Sequence, residues 1–291
     1  MKDIICILAN DYYNFEQMCK NFPQEVVDDK LIIVIEDRIG TDEKRIKDIL
    51  SLSGLDLDYK ILKASKISQK FKEDVVDTKF VDEYTMSMKM LELWYIFKYY
   101  KNANSILAID EDEIMFDGIN SIFDGEDKHL VDSLRRAQGN VKESKNHFEM
   151  NKEIASYFNL EYTQEIRDKY FRWYGNGGCN LWYKNNFDLK LYEEALKLFF
   201  ESKLMRETWL KSRRQNRRYT AYQYDERFLT LYTIKLNQQN DCMKPFAKLI
   251  LSKKCTEKEL IGYCKKVLVH NCCGVGKKET YEKLRKAGCI K

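Results

Sequence analysis

A chain of 291 residues, 44% apolar and 33% charged, is long enough to bury a sizeable core, and its 19 Tyr, 15 Phe and 4 Trp exclude a disordered polymer. No stretch approaches ~20 uninterrupted apolar residues, and nine cysteines, an odd number in a chain too large to need stapling, point to reduced thiols in a soluble, cytoplasmic protein. Net charge is only +4, yet residues 244–291 carry thirteen Lys/Arg against four Glu, so the sequence predicts a mildly acidic domain over 1–243 and a basic helical hairpin tail over 244–291.

Ile4–Leu8 reads as a first strand, followed by the polar loop Asn10–Tyr13 and a short helix over Phe15–Phe22. Leu31–Ile35 is a continuous apolar, β-branched run of the kind buried on both faces of a parallel sheet, and it ends in Glu36 and Asp37. Ile46, Ile49 and Leu50 recur at helical spacing after a Thr41/Asp42 cap, and Leu57–Leu62 reads as a third strand. Strand, helix, strand, helix, strand is an α/β pattern.

Met86, Met90, Leu93, Trp94 and Phe97 form the core stripe of a helix over 84–100, with Lys89 near its start. Ile106–Ile109 then makes a buried strand that runs into Asp110-Glu111-Asp112. In an open, mostly parallel sheet, ligands collect beyond the carboxyl ends of the strands. Two aspartates one residue apart offer hard oxygens to Mg²⁺ or Mn²⁺ and, through the metal, to a diphosphate; taken alone, the pattern equally fits an acidic turn.

Residues 117–170 are polar, with a turn at Asp124–Asp127 and a helical or loop-like stretch over Leu130–Lys145. Trp173, Tyr174, Gly175, Gly177, Gly178 and Trp182 follow, glycines set among aromatics that fit either a turn between strands or a close backbone approach to a ligand. Leu189–Leu204 reads as one helix. Arg213, Arg214, Arg217 and Arg218 suit phosphate recognition, although a solvated loop explains them as cheaply. Asp225 and Glu226 precede the apolar helix Phe228–Ile234, where one fits a cap and the other a base. In the tail, a helix over Leu260–Leu268, the turn Gly274-Val275-Gly276 with Lys277 and Lys278, and a helix over Glu279–Ala287 stopped by Gly288 form an anion-binding hairpin. Six cysteines lie between 242 and 289, but no C-x-x-C occurs and the adjacent Cys272-Cys273 is poor spacing for zinc.

In order and spacing, the loop after the first strand, the acidic end of the second, the Lys89 helix, Asp110-Glu111-Asp112, the Gly-rich aromatic segment and the later acidic pair resemble nucleotide-sugar glycosyltransferases of the GT-A fold, over about residues 1–235. The resemblance implies an α/β, Rossmann-like, mostly parallel mixed sheet flanked by helices, with a small helical C-terminal appendage. It implies a UDP-sugar donor and Mn²⁺ or Mg²⁺. Ala9, Asn10, Tyr12 and Asp37 would line the uridine; Lys89 would reach a phosphate; Asp110 and Asp112 would flank ribose, metal and diphosphate; Gly177 and Gly178 would border the sugar; and Asp225 or Glu226 would be the acceptor-side carboxylate. No histidine sits in a recognisable motif for a third metal ligand.

The segment 271–284 resembles a helix-hairpin-helix element, which binds the DNA backbone through Gly274, Gly276, Lys277 and Lys278. Together the two resemblances imply a sugar transferred to a hydroxymethylated DNA base, as in phage and viral enzymes acting in the host cytoplasm. Trp173, Tyr174 and Trp182 would then hold a flipped base, and the arginine cluster its phosphates. A glycan or protein glycosyltransferase fits residues 1–235 equally well, and a DNA-binding module with an inactive transferase-like domain is a further alternative.

Overall fold

The computed structural model describes residues 2–27, 30–36, 42–84, 87–123, 130–131, 145–173, 179–214, 224–236, 247–249, 256–264, 269–271 and 277–291. In chain order these form β1 (Lys2–Ala9), α1 (Tyr12–Lys20), β2 (Lys30–Glu36), α2 (Glu43–Ser51), β3 (Tyr59–Lys63), α3 (Ala64–Asp74), α4 (Phe80–Glu83), α5 (Met88–Tyr99), β4 (Ala103–Asp110) and β5 (Glu113–Met115). There follow β6 (Leu130–Val131), α6 (Lys145–Tyr157), α7 (Gln164–Trp173), β7 (Cys179–Tyr183), α8 (Leu189–Glu201), α9 (Lys203–Arg214) and α10 (Tyr224–Leu236). The chain closes with β8 (Ala247–Leu249), α11 (Glu257–Cys264), β9 (Val269–Asn271) and α12 (Lys277–Lys286).

The main sheet has the order β3-β2-β1-β4-β7-β6, with β1 to β4 parallel and β7 antiparallel to both β4 and β6. This is the predicted α/β class, a mostly parallel mixed sheet flanked by helices. Alternation along the strands splits the apolar runs between two cores. Ile4, Cys6 and Leu8 of β1 face one, with Ile106 and Ala108 of β4; Ile5, Ile7 and Ala9 face the other, with Leu107 and Ile109. Helices α3, α5, α8 and α10 supply the first core, α1 and α2 the second.

Local capping explains where helix bounds depart from the sequence reading. The Asp11 carboxylate accepts the Asn14 N–H at 3.0 Å, which starts α1 at Tyr12 rather than Phe15. Ser202 accepts the Met205 N–H at 3.1 Å, and this new cap divides the predicted helix 189–204 into α8 and α9. The C-terminal segment, predicted as helices alone, also holds two short strands: β9 pairs antiparallel with β5 and parallel with β8. Only Leu130–Val131 of the stretch 130–144 is described, and it is a strand. No helix among the described residues is long and apolar enough to cross a membrane.

Trp182 lies on the α10 side of β7, fully buried, with its ring stacked on Tyr232 at 5.7 Å and edge-on to Phe187 at 5.8 Å. Trp182→Ala is expected to cost about 3–5 kcal/mol, the loss of a large packed aromatic. Urea unfolding checks this: a midpoint unchanged from the parent would contradict the packing.

Candidate active site

Register brings the carboxyl ends of the central strands level. Leu8 is opposite Asp110, and Ala9 opposite Glu36. Because β2 lies on one side of β1 and β4 on the other, the strand order reverses at β1, and the crevice beyond β1 and β4 is a topological switch point. Two loops border it: Asn10-Asp11, leaving β1, and Glu111-Asp112, turning from β4 into β5. They are joined directly, since Asn10 Nδ2 donates to Glu111 Oε2 at 3.4 Å.

Asp110 is held from the side by Lys89, in the first turn of α5, whose ammonium donates to Asp110 Oδ2 at 2.6 Å. Lys89 is only 6% exposed. Burial alone would lower its pKa, but the carboxylates of Asp110, Asp225 and Glu226 outweigh that and hold it above the ordinary lysine value. Asp225 and Glu226 come from the first turn of α10, a helix whose residues Tyr224 to Ile234 are all buried. Asp225 Oδ1 accepts from the Tyr84 hydroxyl at 2.9 Å, and the Asp225 N–H donates to the same Tyr84 oxygen at 3.0 Å. Burial pushes the Asp225 carboxyl upward, opposed by Lys89 and the Tyr84 hydrogen bond. A capping carboxylate on a solvated helix end does not fit this: Asp225 is 1% exposed.

Three further oxygens near the crevice have no hydrogen-bond partner although buried: Asn10 Oδ1, Tyr12 Oη and Glu36 Oε2; Asp225 Oδ2 is a fourth. Buried polar atoms left without partners are rare in a folded chain and ask for a ligand or water. Glu36, at the end of β2, is 6% exposed and its carboxyl is raised by burial, with Lys63 opposing. The sequence reading selected its neighbour Asp37 instead. The signal for Glu36 was the register, which pairs it with Ala9. Arg45 was missed as well; its guanidinium lies 3.8 Å from the centre of the Tyr12 ring.

The other predicted residues are placed less centrally. Ala9 is fully buried in the α1/α2 core, which leaves its backbone, not its side chain, at the strand end. Trp182 has no ring face open to a flipped base, because Tyr232 and Phe187 cover it; that assignment is corrected. Trp173 closes α7, Arg213 and Arg214 close α9, and Lys277 opens α12. Lys278 is exposed, with its ammonium 5.4 Å from the centre of the Tyr13 ring. Asp37, Tyr174, Gly177, Gly178, Arg217, Arg218, Gly274 and Gly276 lie outside the described residues.

The donor chemistry suits a hard divalent cation, because Asp110 and Asp112 offer carboxylates at one turn. Among the described residues, however, no three His, Cys, Asp or Glu are grouped to hold an ion by themselves. Carboxylates that share an ion with phosphate oxygens and water are the usual arrangement for Mg²⁺.

No family model matches the sequence, and no curated protein matches it. Among solved structures, one similar to this chain is galactosyltransferase LgtC in complex with donor and acceptor sugar analogues, at 12% identity and a TM-score of 0.43, covering 99% of this chain and 96% of that one. Mouse xyloside xylosyltransferase 1 is similar at 10% identity and 0.47, over 93% and 96% of the two chains. GlyE of Streptococcus pneumoniae TIGR4 follows at 9% and 0.45, over 100% and 61%. All three are glycosyltransferases. With TM-scores below 0.5, these likenesses assign no residue a role, and the functional reading rests on the site itself.

Asp225 gives a test by pH. With its native carboxyl raised above the unfolded value of about 3.9, the folded state binds more protons than the unfolded one across that window, so stability falls as pH rises through it. Asp225→Asn is expected to flatten this slope and raise the urea midpoint at pH 7 to 8. A midpoint that drops at pH 8 while the slope persists would contradict it.

Proposed function

We propose that the protein is a metal-dependent glycosyltransferase that moves a sugar from a nucleotide sugar, UDP-linked by the motif resemblance, to an acceptor hydroxyl. The observation that carries this is the set of unpartnered buried oxygens of Asn10, Tyr12, Glu36 and Asp225 around the crevice that Asp110 and Asp112 border. Such a set is matched by a ligand with several hydroxyl and N–H groups and an anionic centre.

In this reading Asn10, Tyr12 and Glu36 take the nucleoside, the oxygens accepting from its hydroxyl or N–H donors; Asp37 would join them. Asp110 and Asp112 hold Mn²⁺ or Mg²⁺, which when bound supplies positive charge for the leaving diphosphate. Lys89 orients Asp110 and adds its own charge near the phosphates. Gly177 and Gly178 border the sugar. Asp225, whose carboxyl burial pushes upward, and Glu226 serve the sugar or acceptor side; in an inverting reaction one of them takes the acceptor proton.

Release of nucleoside diphosphate from a panel of nucleotide sugars, with Mn²⁺ and with chelator, tests this. Turnover is expected to require the metal and to fall about 10²-fold or more in Asp112→Asn, the scale of losing a group that stabilises transition-state charge. Silence with every donor would favour a binding protein that lacks the chemistry.

For the acceptor we favour DNA over a glycan or protein, on the basic charge of residues 244–291 and the lysines exposed on α12, Lys278 and Lys286. Gly274, Gly276, Lys277 and the arginines at 213, 214, 217 and 218 would add backbone contacts. Electrophoretic shift of random duplex DNA is expected at low salt and to weaken steeply as salt rises. No shift at low salt would leave a glycan or protein as acceptor.

A further inference from the structure

The loop that follows Asp112 is finished by the far end of the chain. Among the described residues β5 pairs outside the main sheet; its ladder runs to β9, Ile114 being opposite His270. Over this pair, Ile114, Tyr281 and Leu284, each fully buried, form a small core of their own, edged by Phe116, Cys289 and Ile290. The end of α12 is fixed by a Schellman turn. Gly288 takes φ +66, its N–H donates to the Arg285 carbonyl at 2.9 Å, and the Cys289 N–H donates to the Leu284 carbonyl at 2.8 Å.

The same helix also grips α1, which continues from Asn10. Tyr281 meets the Tyr13 ring edge-on at 6.0 Å, and Lys278 lies over the same ring. The Arg285 guanidinium donates to Gln17 Oε1, and the Lys291 N–H donates to Asn21 Oδ1 at 2.7 Å. One side chain, Tyr281, therefore touches the element after each of the two loops that border the crevice.

We infer that Tyr281 is a positioning residue: through Ile114 and Tyr13 it holds the Glu111-Asp112 turn and the Asn10 loop in the mutual setting that binds metal and nucleotide. The inference rests on the donor-site reading above. A contact one layer behind a metal site sets how its ligands are presented, and losing such support commonly weakens affinity 10- to 100-fold. The tail is then a brace on the donor site, besides any acceptor role.

Two measurements on the full chain test it. Amide exchange by mass spectrometry, without ligand, is expected to quicken in Tyr281→Ala over residues 10–16 and 111–116. Titration of UDP and GDP with Mn²⁺ is expected to show about ten-fold weaker binding for Tyr281→Ala, with parental affinity in Tyr281→Phe, which keeps the ring. Leu196→Ala, in the core beneath α8, serves as a variant destabilised elsewhere and is expected to bind like the parent. Folded Tyr281→Ala with parental exchange and parental affinity would overturn the inference, as would an equal loss in Leu196→Ala. If the parent binds neither nucleotide, the donor-site reading falls, and unchanged exchange in the two segments would still refute the brace.

Discussion

The geometry of the site depends on one buried ion pair, Lys89 with Asp110. Apart from Glu92, which accepts from the Cys6 thiol at 3.6 Å, the other buried residues of α5 are apolar, so the ammonium sits where a methionine or leucine would pack at no electrostatic cost. Taking both charges out of water is expensive, and a pair of this kind is weak evidence for stability. Its effect here is orientation. The pair ties the start of α5 to the end of β4, and the charge left on Lys89 then admits Asp225 and Glu226 from α10 into the same buried region. Without that cation, the end of β4 and the start of α10 would bring like-charged carboxylates together.

The unpartnered oxygens belong to the same account. A fold optimised for stability alone would pair or remove Asn10 Oδ1, Tyr12 Oη, Glu36 Oε2 and Asp225 Oδ2, each of which costs desolvation without a hydrogen bond in return. Placed around the carboxyl ends of β1, β2 and β4, they mark a place where a bound ligand would return that cost.

Much of this was legible in the sequence, for reasons that can be stated residue by residue. Ile4–Leu8, Leu31–Ile35 and Ile106–Ile109 are continuous apolar runs because both faces of the sheet are covered, and the abrupt change to Asp110 marks a strand end as clearly as a turn does. Depth was not legible. An Asp-Glu pair at a helix start reads as ordinary capping, and only Tyr84, 141 residues away in the chain, makes Asp225 a buried hydrogen-bonded carboxylate. Glu36 and Asp37 are indistinguishable by composition; pairing with Ala9 singles out the first. Trp182 beside a glycine-rich stretch suggests a stacking surface until alternation along β7 turns it into the core. The short strands β5 and β9 carry too few residues for a periodicity, and only their long-range pairing defines them.

That pairing also sets an order of assembly. β5 and β9 are separated by more than half of the chain, so during synthesis the first four strands of the main sheet can pair long before β9 exists. On the ribosome the carboxylate turn would accompany a largely formed sheet yet lack its final support. Support for the carboxylate turn would thus arrive late, with residues 269–284, translated long after the turn they hold.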